Sequence, residues 1–459
     1  MKARLTLPPG AILTGLLIVA GFFLTLSVSL PGHLSYDSVL QLLQGRTGIY
    51  STWHPPVMAW LLGIGDALVP GTALFVVFQS LLSFGTFLSL LAFPPQKPIW
   101  PLACLALVSI LSPQLLLYQG IVWKDVLFAD TAVAGFVCLA HVARVWPKSG
   151  RVMAWLALSI VLLVLSALTR QNGLLVLPMA AAAFGWIVSR KSGIRRTGVA
   201  LGAATLGTMA VLTGGATLAL DTRSNGDSGP REQFTLLQTY DLSGAVASEP
   251  GLPLAHLAQT QPALEQLIRT EGARLYTPIR IDPIAASPPL QTELRTVHLE
   301  AINADWRALI VTHPLTYLTN RARVFWWLLA TPDIFECRPI FVGVDGPPDA
   351  MKALGLATRR TPTDNRLQAY GMSLLNTPAF SHLAFGAIAL LALVLLLRRR
   401  RPEDIAVASM LVAAFGFTAS FFVISIACDY RYLYYLDLSA LVALFYLSLD
   451  VRGTLRGSS

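Results

Sequence analysis

Charged side chains are scarce in this 459-residue chain. Only 13% of its residues are charged, whereas about 25% is typical of a soluble domain. Together with 54% hydrophobic residues and a mean hydropathy of +0.60, this composition excludes a soluble globular protein and predicts an integral membrane protein. The basic residues behind the net charge of +9 fall in short clusters between apolar runs, as membrane orientation requires, so no nucleic-acid site is predicted.

Cysteine is also rare, with four residues: Cys104, Cys138, Cys337 and Cys428. Their spacing matches no metal site, and the first two lie inside apolar runs. A disulfide between Cys337 and Cys428 is left open. Internal repeats and low-complexity tracts do not stand out either, which argues against a repeat architecture.

Long apolar runs dominate the chain instead. A helix needs about 20 apolar residues to cross the hydrocarbon core, and about ten runs qualify. They cover approximately residues 11–30, 71–93, 99–118, 126–143, 152–168, 174–189, 197–220, 378–397, 405–427 and 432–449. The first run follows Lys2 and Arg4 but lacks a convincing cleavage site, so we predict a retained anchor. The predicted fold class is an all-α integral membrane protein.

The Lys and Arg residues are divided unequally between the two sides of these runs. With the N-terminus inside, the inner segments hold sixteen: Lys2, Arg4, Lys97, Arg144, Lys148, Arg151, Arg190, Lys191, Arg195, Arg196, Arg398, Arg399, Arg400, Arg401, Arg452 and Arg456. The short outer segments hold four: Arg46, Lys124, Arg170 and Arg431. This positive-inside asymmetry predicts that both termini are cytoplasmic.

The chain is predicted to have three parts. Residues 1–220 form a transmembrane catalytic module with a first outer loop at 31–70, 221–377 form a mainly helical extracytoplasmic region, and 378–459 form C-terminal transmembrane helices. In the outer region, 253–273 and 291–312 have helix-like apolar spacing, and 314–331 mixes aromatic and basic residues as an interfacial helix would. In the first loop, Val57 to Val69 is too short to span, so we expect it at the membrane surface.

The predicted outer loops collect the unusual polar residues. These are Tyr36, Asp37 and His54 in the first loop, Lys124 and Asp125 in the second, Arg170 and Asn172 in the third, and Arg431 in the last. Each has a plainer interpretation: a helix cap near Asp37, an ion pair in the Lys124–Asp125 turn, an anchor at Arg170. His54 and Arg431 have plainer interpretations as well. His54 precedes two prolines and could be structural, and Arg431 could be an interfacial anchor. The convergence of these residues on one predicted face favours a functional site.

An outward site of carboxylates and cations suits glycosyl transfer from a lipid-linked phosphate sugar. A carboxylate accepts the proton of the acceptor hydroxyl as that hydroxyl attacks the anomeric carbon. Cations stabilise the phosphate that leaves with the lipid. Because nucleotide sugars are not available outside the cell, a membrane-embedded donor is the expected source.

The same residues resemble the polytopic glycosyltransferases of the C-type superfamily, and most closely their bacterial family 39-like branch. The matching motifs are Asp37, His54-Pro55-Pro56, Lys124-Asp125, Arg170-x-Asn172-Gly173, Asp429 to Tyr432, and Trp306 with His313, Pro314, Tyr317, Leu318 and Arg321. The resemblance covers most of the first 180 residues and then isolated stretches. It implies a bacterial inner-membrane enzyme of the cell envelope, with surface helices in the first outer loop.

The resemblance further implies a hexosyl- or pentosyltransferase that uses a polyprenyl-phosphate sugar with inversion. Asp37 would be the catalytic base, and Asp125 would orient the acceptor or hold a divalent cation. The donor phosphate would face Lys124 and Arg170, with Arg431 as a further partner, and the remaining substrate contacts would come from Tyr36, His54 and Asn172. The acceptor could be a lipid, a glycan or a protein. The paired acidic motif common in the family is absent, because Asp37 lies between Tyr36 and Ser38, so a metal requirement is left open.

The competing hypothesis is a polytopic transporter or flippase of lipid-linked sugars. Such proteins place ionisable groups and broken helices near the bilayer midplane. Here the charges cluster at one edge of the predicted spans, with Asp130 and Asp437 as exceptions within a turn or two of that edge. The enzyme is therefore the preferred prediction.

Overall fold

The structure is a computed structural model that describes residues 9–93, 100–224 and 229–450. Five basic residues of the orientation count lie outside these ranges: Lys2, Arg4, Lys97, Arg452 and Arg456. Within the described part, the regular elements are all helices, and β-contacts are limited to isolated bridges. The predicted all-α membrane fold is confirmed.

The helices follow one another with short connections. Those before residue 225 are α1 (Pro9–Ser29), α2 (Tyr36–Thr47), α3 (Val57–Leu68), α4 (Ala73–Leu90), α5 (Trp100–Leu111), α6 (Pro113–Leu116), α7 (Lys124–Val145), α8 (Ser149–Thr169), α9 (Val176–Ser192) and α10 (Arg195–Asp221). Next come α11 (Gly229–Ser248), α12 (Ala255–Thr260), α13 (Pro262–Leu267), α14 (Ala273–Leu275), α15 (Asp282–Ala285), α16 (Pro288–Arg295), α17 (Leu299–Thr312) and α18 (Pro314–Ala330). The last are α19 (Pro348–Leu354), α20 (Pro362–Leu374), α21 (His382–Arg399), α22 (Pro402–Ile424) and α23 (Tyr434–Ser448).

Eight of the described helices are long and apolar enough to cross a membrane, which makes this a multi-pass membrane protein. They are Ala11–Ser29, Ala73–Leu90, Lys124–Val145, Ser149–Thr169, Gln171–Ser192, Arg195–Asp221, His382–Arg399 and Pro402–Ile424. The pair Leu102–Leu111 and Pro113–Gly120 adds a ninth if it forms one span, although it is bent by 57°. The bend falls at Pro113, which cannot donate to the preceding turn. The tenth predicted run contains α23, whose 15 residues are shorter than a full crossing.

The chain divides into two compact units. The first comprises residues 1–225, 340–417 and 434–459, and the second comprises 226–339 and 418–433. In the first unit, α7 packs against α4, α8 and α23, and its apolar stretch is entirely buried within the chain. The apolar stretch of α10 is only 17% buried, so most of its surface is available to lipid.

The second unit has a small hydrophobic core of its own, built on α11 to α18. Prolines begin several of its helices, and Pro262 divides the predicted helix at 253–273 into α12 and α13. The predicted helix at 314–331 is confirmed as α18. A disulfide joins Cys337 to Cys428, which confirms the pairing that the sequence left open.

A buried ion pair also lies inside the second unit. Arg321 on α18 pairs with Asp241 on α11 and donates from Nη1 to the carbonyl oxygen of Ser425 at 2.7 Å. The indole Nε1 of Trp306 donates to the other oxygen of Asp241 at 2.8 Å. Burial raises the pKa of Asp241, although the guanidinium of Arg321 opposes this shift. Two residues of the late resemblance motif, Trp306 and Arg321, therefore meet at one carboxylate.

Candidate functional site

The segment that follows α1 is tied to the segment that precedes α7. The backbone N–H of His33 donates to Gly120 at 2.9 Å, and that of Val122 donates back to His33 at 3.0 Å. Gly120 has no room for a side chain, because a Cβ there would collide with the side chain of Ser29. These bonds bring the start of α2 beside the start of α7.

Two serines at the start of α2 complete this connection. Ser38 donates its hydroxyl to the carbonyl of Val122 at 2.5 Å, and Ser35 accepts from the indole Nε1 of Trp123 at 2.9 Å. Both contacts lie within two residues of Asp37. The helix cap expected near Asp37 is Ser35, which occupies the N-cap position of α2, although its hydroxyl makes no cap hydrogen bond.

Near the start of α2 and α7, the side chain of His54 lies between those of Asp37 and Lys124. Nζ of Lys124 is 2.7 Å from Nδ1 of His54, and Nε2 of His54 is 3.7 Å from Oδ1 of Asp37. An ammonium group can only donate, so Nδ1 of His54 accepts and the ring proton resides on Nε2, facing Asp37. The side chain of Asp37 remains 29% exposed, which leaves it accessible to a substrate.

Asp125 and Arg170 form a second, deeper pair. Asp125 is in the first turn of α7, Arg170 directly follows α8, and the two side chains form an ion pair that is almost fully buried. The guanidinium also lies over the ring of Phe417, 5.6 Å from its centroid. Lys124 and Asp125 are consecutive residues of α7, so the ion pair and the Lys124–His54–Asp37 array are connected through the backbone at the start of that helix.

The other predicted site residues are more dispersed. Tyr36 is the first residue of α2 and is 61% exposed. Asn172 is half-buried in the 3₁₀ segment Gln171–Leu175, two residues after Arg170. Arg431 belongs to the second unit, where its guanidinium is 3.3 Å from Asp429. The first unit thus brings together five of the predicted residues: Asp37, His54, Lys124, Asp125 and Arg170.

The pairing of α2 with α3 positions both ends of the first loop. Gly45 and Gly63 face each other so closely that a Cβ on Gly45 would lie 2.7 Å from the backbone N of Gly63. Arg46 forms a bidentate ion pair with Asp66, with N–O distances of 2.8 and 2.7 Å. The hydrogen bond from Arg46 lowers the pKa of Asp66. Arg46, one of four exceptions to the charge asymmetry, therefore has a structural role in holding the loop.

His33 lies in the connection between α1 and α2 and is buried. Its structural contribution could not be predicted from the sequence. Its Nδ1 accepts from the backbone N–H of Gly343 at 3.1 Å and lies 3.7 Å from Asp364. Burial lowers the pKa of His33 to about 4; Asp364 opposes this shift and Arg359 adds to it. No local pattern marks such a residue, since the partners of its side chain are more than 300 positions away.

The described residues contain no group of three or more His, Cys, Asp or Glu side chains placed to hold a metal ion. Asp125, the residue considered for a cation, is paired with Arg170. A cation at Asp125 would have to displace that guanidinium.

No protein-family model matches the chain, and no curated protein matches its sequence. Two solved structures match it, both of the oligosaccharyltransferase of Archaeoglobus fulgidus. One is the archaeal oligosaccharyltransferase AglB in complex with an inhibitory peptide and a dolichol-phosphate, with 15% identity, and the other is the apo form, with 14% identity. Each has a TM-score of 0.40 and matches over 94% of this chain and 50% of its own length. The chain thus spans about half the length of these structures, and a likeness this weak carries no functional argument.

Proposed function

We propose that this protein is a membrane glycosyltransferase that transfers a sugar from a polyprenyl-phosphate donor to an extracytoplasmic acceptor. The observation that carries the proposal is the array Asp37–His54–Lys124, adjoining the Asp125–Arg170 ion pair. These residues come from three separate parts of the sequence. A partly exposed carboxylate near the ammonium group of Lys124 and the guanidinium of Arg170 matches the two requirements of the reaction, proton removal and phosphate stabilisation.

Asp37 is the proposed catalytic base. Its carboxylate accepts the proton of the acceptor hydroxyl while that hydroxyl attacks the anomeric carbon from the side opposite the leaving phosphate, which inverts the anomeric configuration. Nε2 of His54 lies 3.7 Å from Oδ1 of Asp37, so the imidazole is the proposed positioning group beside the base. One accessible carboxylate is sufficient for a single inverting displacement.

The proposed phosphate contacts in the first unit are Lys124 and Arg170, whereas the role predicted for Arg431 stays a prediction. A leaving phosphate is stabilised by positive charge that is already in place, since fixed groups need no reorganisation during the reaction. Asp125 holds Arg170 in position in this arrangement. Tyr36 and Asn172 supply further substrate contacts from the accessible side.

The site is proposed to face the extracytoplasmic side of a bacterial inner membrane. Disulfides persist in oxidising compartments, and Cys428 comes four residues after α22 ends at Ile424. The opposite end of α22 follows the basic run Arg398 to Arg401, which the positive-inside rule assigns to the cytoplasm. The disulfide and the charge count are independent and favour the same orientation.

A transporter or flippase of lipid-linked sugars is the second candidate. Two observations favour it: the bent pair Leu102–Leu111 and Pro113–Gly120, and the buried Asp130, which accepts from Gln119 at 2.9 Å. Broken helices and buried acids are typical of transporters. This hypothesis predicts that Asp130→Asn abolishes function while Asp37→Asn does not, the reverse of the enzyme hypothesis.

The decisive experiment supplies purified protein with a panel of polyprenyl-phosphate sugars and candidate acceptors. Asp37→Asn should reduce transfer by about 100-fold or more, because it removes the base without changing the size of the side chain. Asp349→Asn, an exposed residue on α19, is the matched control and should transfer normally. Unchanged transfer by Asp37→Asn would remove Asp37 from the mechanism, and retention of the donor's anomeric configuration in the product would contradict direct displacement.

The orientation has its own test. Single cysteines introduced near Asp37 and Asp125 should react with a membrane-impermeant thiol reagent added from the extracytoplasmic side. Labelling of either position from the cytoplasmic side alone would refute the proposed topology.

A further inference from the structure

A groove runs between α9 and α10 in the first unit, and none of the proposed site residues lines it. Its volume is about 630 Å³, within the range of roughly 300–1,000 Å³ that small-molecule sites occupy. The lining is apolar along most of its length and includes Ala182, Trp186 and Ala203. At one end it includes Arg190 and Arg195. The groove therefore has an apolar body and a cationic end.

The groove forms because α9 and α10 pack closely against each other at glycine residues. A Cβ on Gly185 would lie 2.8 Å from the carbonyl oxygen of Gly198, and a Cβ on Gly202 would lie 2.9 Å from the carbonyl oxygen of Ala181. The backbones are in contact along this line, so no large side chain fills the space beside it. The groove therefore follows from the close packing of α9 against α10.

The positive charges of the two arginines at its end are not balanced by an acidic side chain among the described residues. Arg190 lies in the last turn of α9 and Arg195 is the first residue of α10, and both are exposed. Neither forms an ion pair with another residue in the described part of the chain. Arg195 also lies at a helix N-terminus, where the helix dipole already favours a negative group and disfavours a positive one. An anion bound between the two guanidinium groups would relieve this repulsion.

The apolar body of the groove is open to the membrane. Trp186 is 56% exposed and Val199 is 64% exposed, although both belong to helices long and apolar enough to span. A phosphate ion could use the arginines but not these surfaces. A molecule with a phosphate at one end and a hydrocarbon chain at the other would use both.

We propose that the groove binds one anionic glycerophospholipid, with its phosphate between Arg190 and Arg195 and an acyl chain along the glycine contact. The choice of an anionic lipid rests on charge complementarity. A zwitterionic lipid brings its own cation to the same end and gains less from the two arginines. This site is independent of the proposed transferase activity.

The test uses native mass spectrometry of the purified full-length protein titrated with dioleoyl phosphatidylglycerol or dioleoyl phosphatidylcholine. The wild type should retain one phosphatidylglycerol and prefer it to phosphatidylcholine. Each arginine near a lipid surface contributes about 1 kcal/mol, so the double variant Arg190→Gln/Arg195→Gln should bind phosphatidylglycerol about 30-fold more weakly. The double variant Lys191→Gln/Arg196→Gln is the matched control, because it removes the same charge from residues that do not line the groove.

A second variant tests the groove rather than its charge. Ala203→Phe should fill the apolar body and weaken phosphatidylglycerol binding while both arginines remain. Equal loss in the two double variants would mean that general surface charge is responsible, and would overturn the proposal. It would also be overturned if millimolar inorganic phosphate displaced the lipid, or if a second copy of the chain occupied the groove and Ala203→Phe abolished a dimer rather than a lipid adduct. Circular dichroism of every variant establishes that it is folded.

Discussion

Replacing Arg321 by methionine should destabilise the second unit by about 3–5 kcal/mol. The side chain of Arg321 is completely buried, pairs with Asp241, and donates to the carbonyl oxygen of Ser425. Methionine retains most of the apolar stem, so the change creates little cavity. What it removes is the positive charge and the hydrogen bond, and Asp241 and Ser425 lose that partner.

The magnitude follows from these two losses. Breaking a buried ion pair by removing one partner costs about 3–5 kcal/mol, and leaving a buried carbonyl unpaired costs about 1–3 kcal/mol. The sum is an upper limit, because Asp241 can take up a proton. Arg321 opposes the burial that raises the pKa of Asp241, so its loss raises that pKa further. Asp241 then favours the protonated state in the folded unit. The destabilisation therefore grows as pH rises from the pKa of Asp241 in the unfolded chain towards its pKa in the folded variant.

The measurement is thermal unfolding of the full-length protein in detergent, with limited proteolysis of the second unit as the readout. A loss of 3–5 kcal/mol corresponds to a Tm decrease of roughly 10 °C or more for a domain of this size. Arg323→Met is the matched control: Arg323 lies on the same helix but is exposed, so its Tm should stay near that of the wild type. The double variant Asp241→Asn/Arg321→Met should recover part of the loss, because it removes the buried charge. Equal Tm values for the two single arginine variants would refute the reasoning.

Three further predictions concern other contacts. Since His33 must be neutral to remain buried, its lowered pKa of about 4 contributes about 3 kcal/mol that is fully present above pH 6.5 and is lost as pH falls towards 4. His33→Asn keeps an acceptor for Gly343, and its unfolding free energy should be less dependent on pH in that window. Gly45→Ala should destabilise the first loop by about 1–3 kcal/mol by separating α2 from α3, whereas Gly65→Ala, with no contact under 3.8 Å, should not; differential scanning fluorimetry distinguishes them. Removing the disulfide with Cys337→Ala/Cys428→Ala should cost up to about 4–5 kcal/mol for a 91-residue separation, and alkylation of the denatured, unreduced wild type should modify two thiols rather than four.

The membrane architecture was largely predictable, because length and hydropathy determine which segments can span. The runs at 126–143 and 152–168 correspond to α7 and α8 with small shifts at their ends. The shorter elements were harder. The bend at Pro113 and the shortness of α23 depend on local backbone geometry that average hydropathy does not register.

The residues of the candidate site could be singled out from the sequence, but their geometry could not be predicted. Asp37, Lys124 and Arg170 were singled out because charged residues beside membrane spans are rare and costly. Their mutual distances depend on contacts between remote segments, such as the bond from Ser38 to Val122, 84 positions apart. A single sequence contains no signal for such contacts. The same limitation hid the partnership of His33 with Gly343.

The absence of a paired acidic motif at Asp37 left open what supports this carboxylate. In the structure Nε2 of His54 is 3.7 Å from Oδ1 of Asp37, and Nδ1 of His54 is 2.7 Å from Nζ of Lys124. A second carboxylate would oppose ionisation of Asp37, or would need a cation to offset the repulsion. A neutral imidazole brings no such repulsion. In the proposed mechanism the two residues differ in role: His54→Ala should mainly slow transfer, because His54 positions the proposed base, whereas Lys124→Ala should also weaken donor binding, because its ammonium group is the proposed phosphate contact.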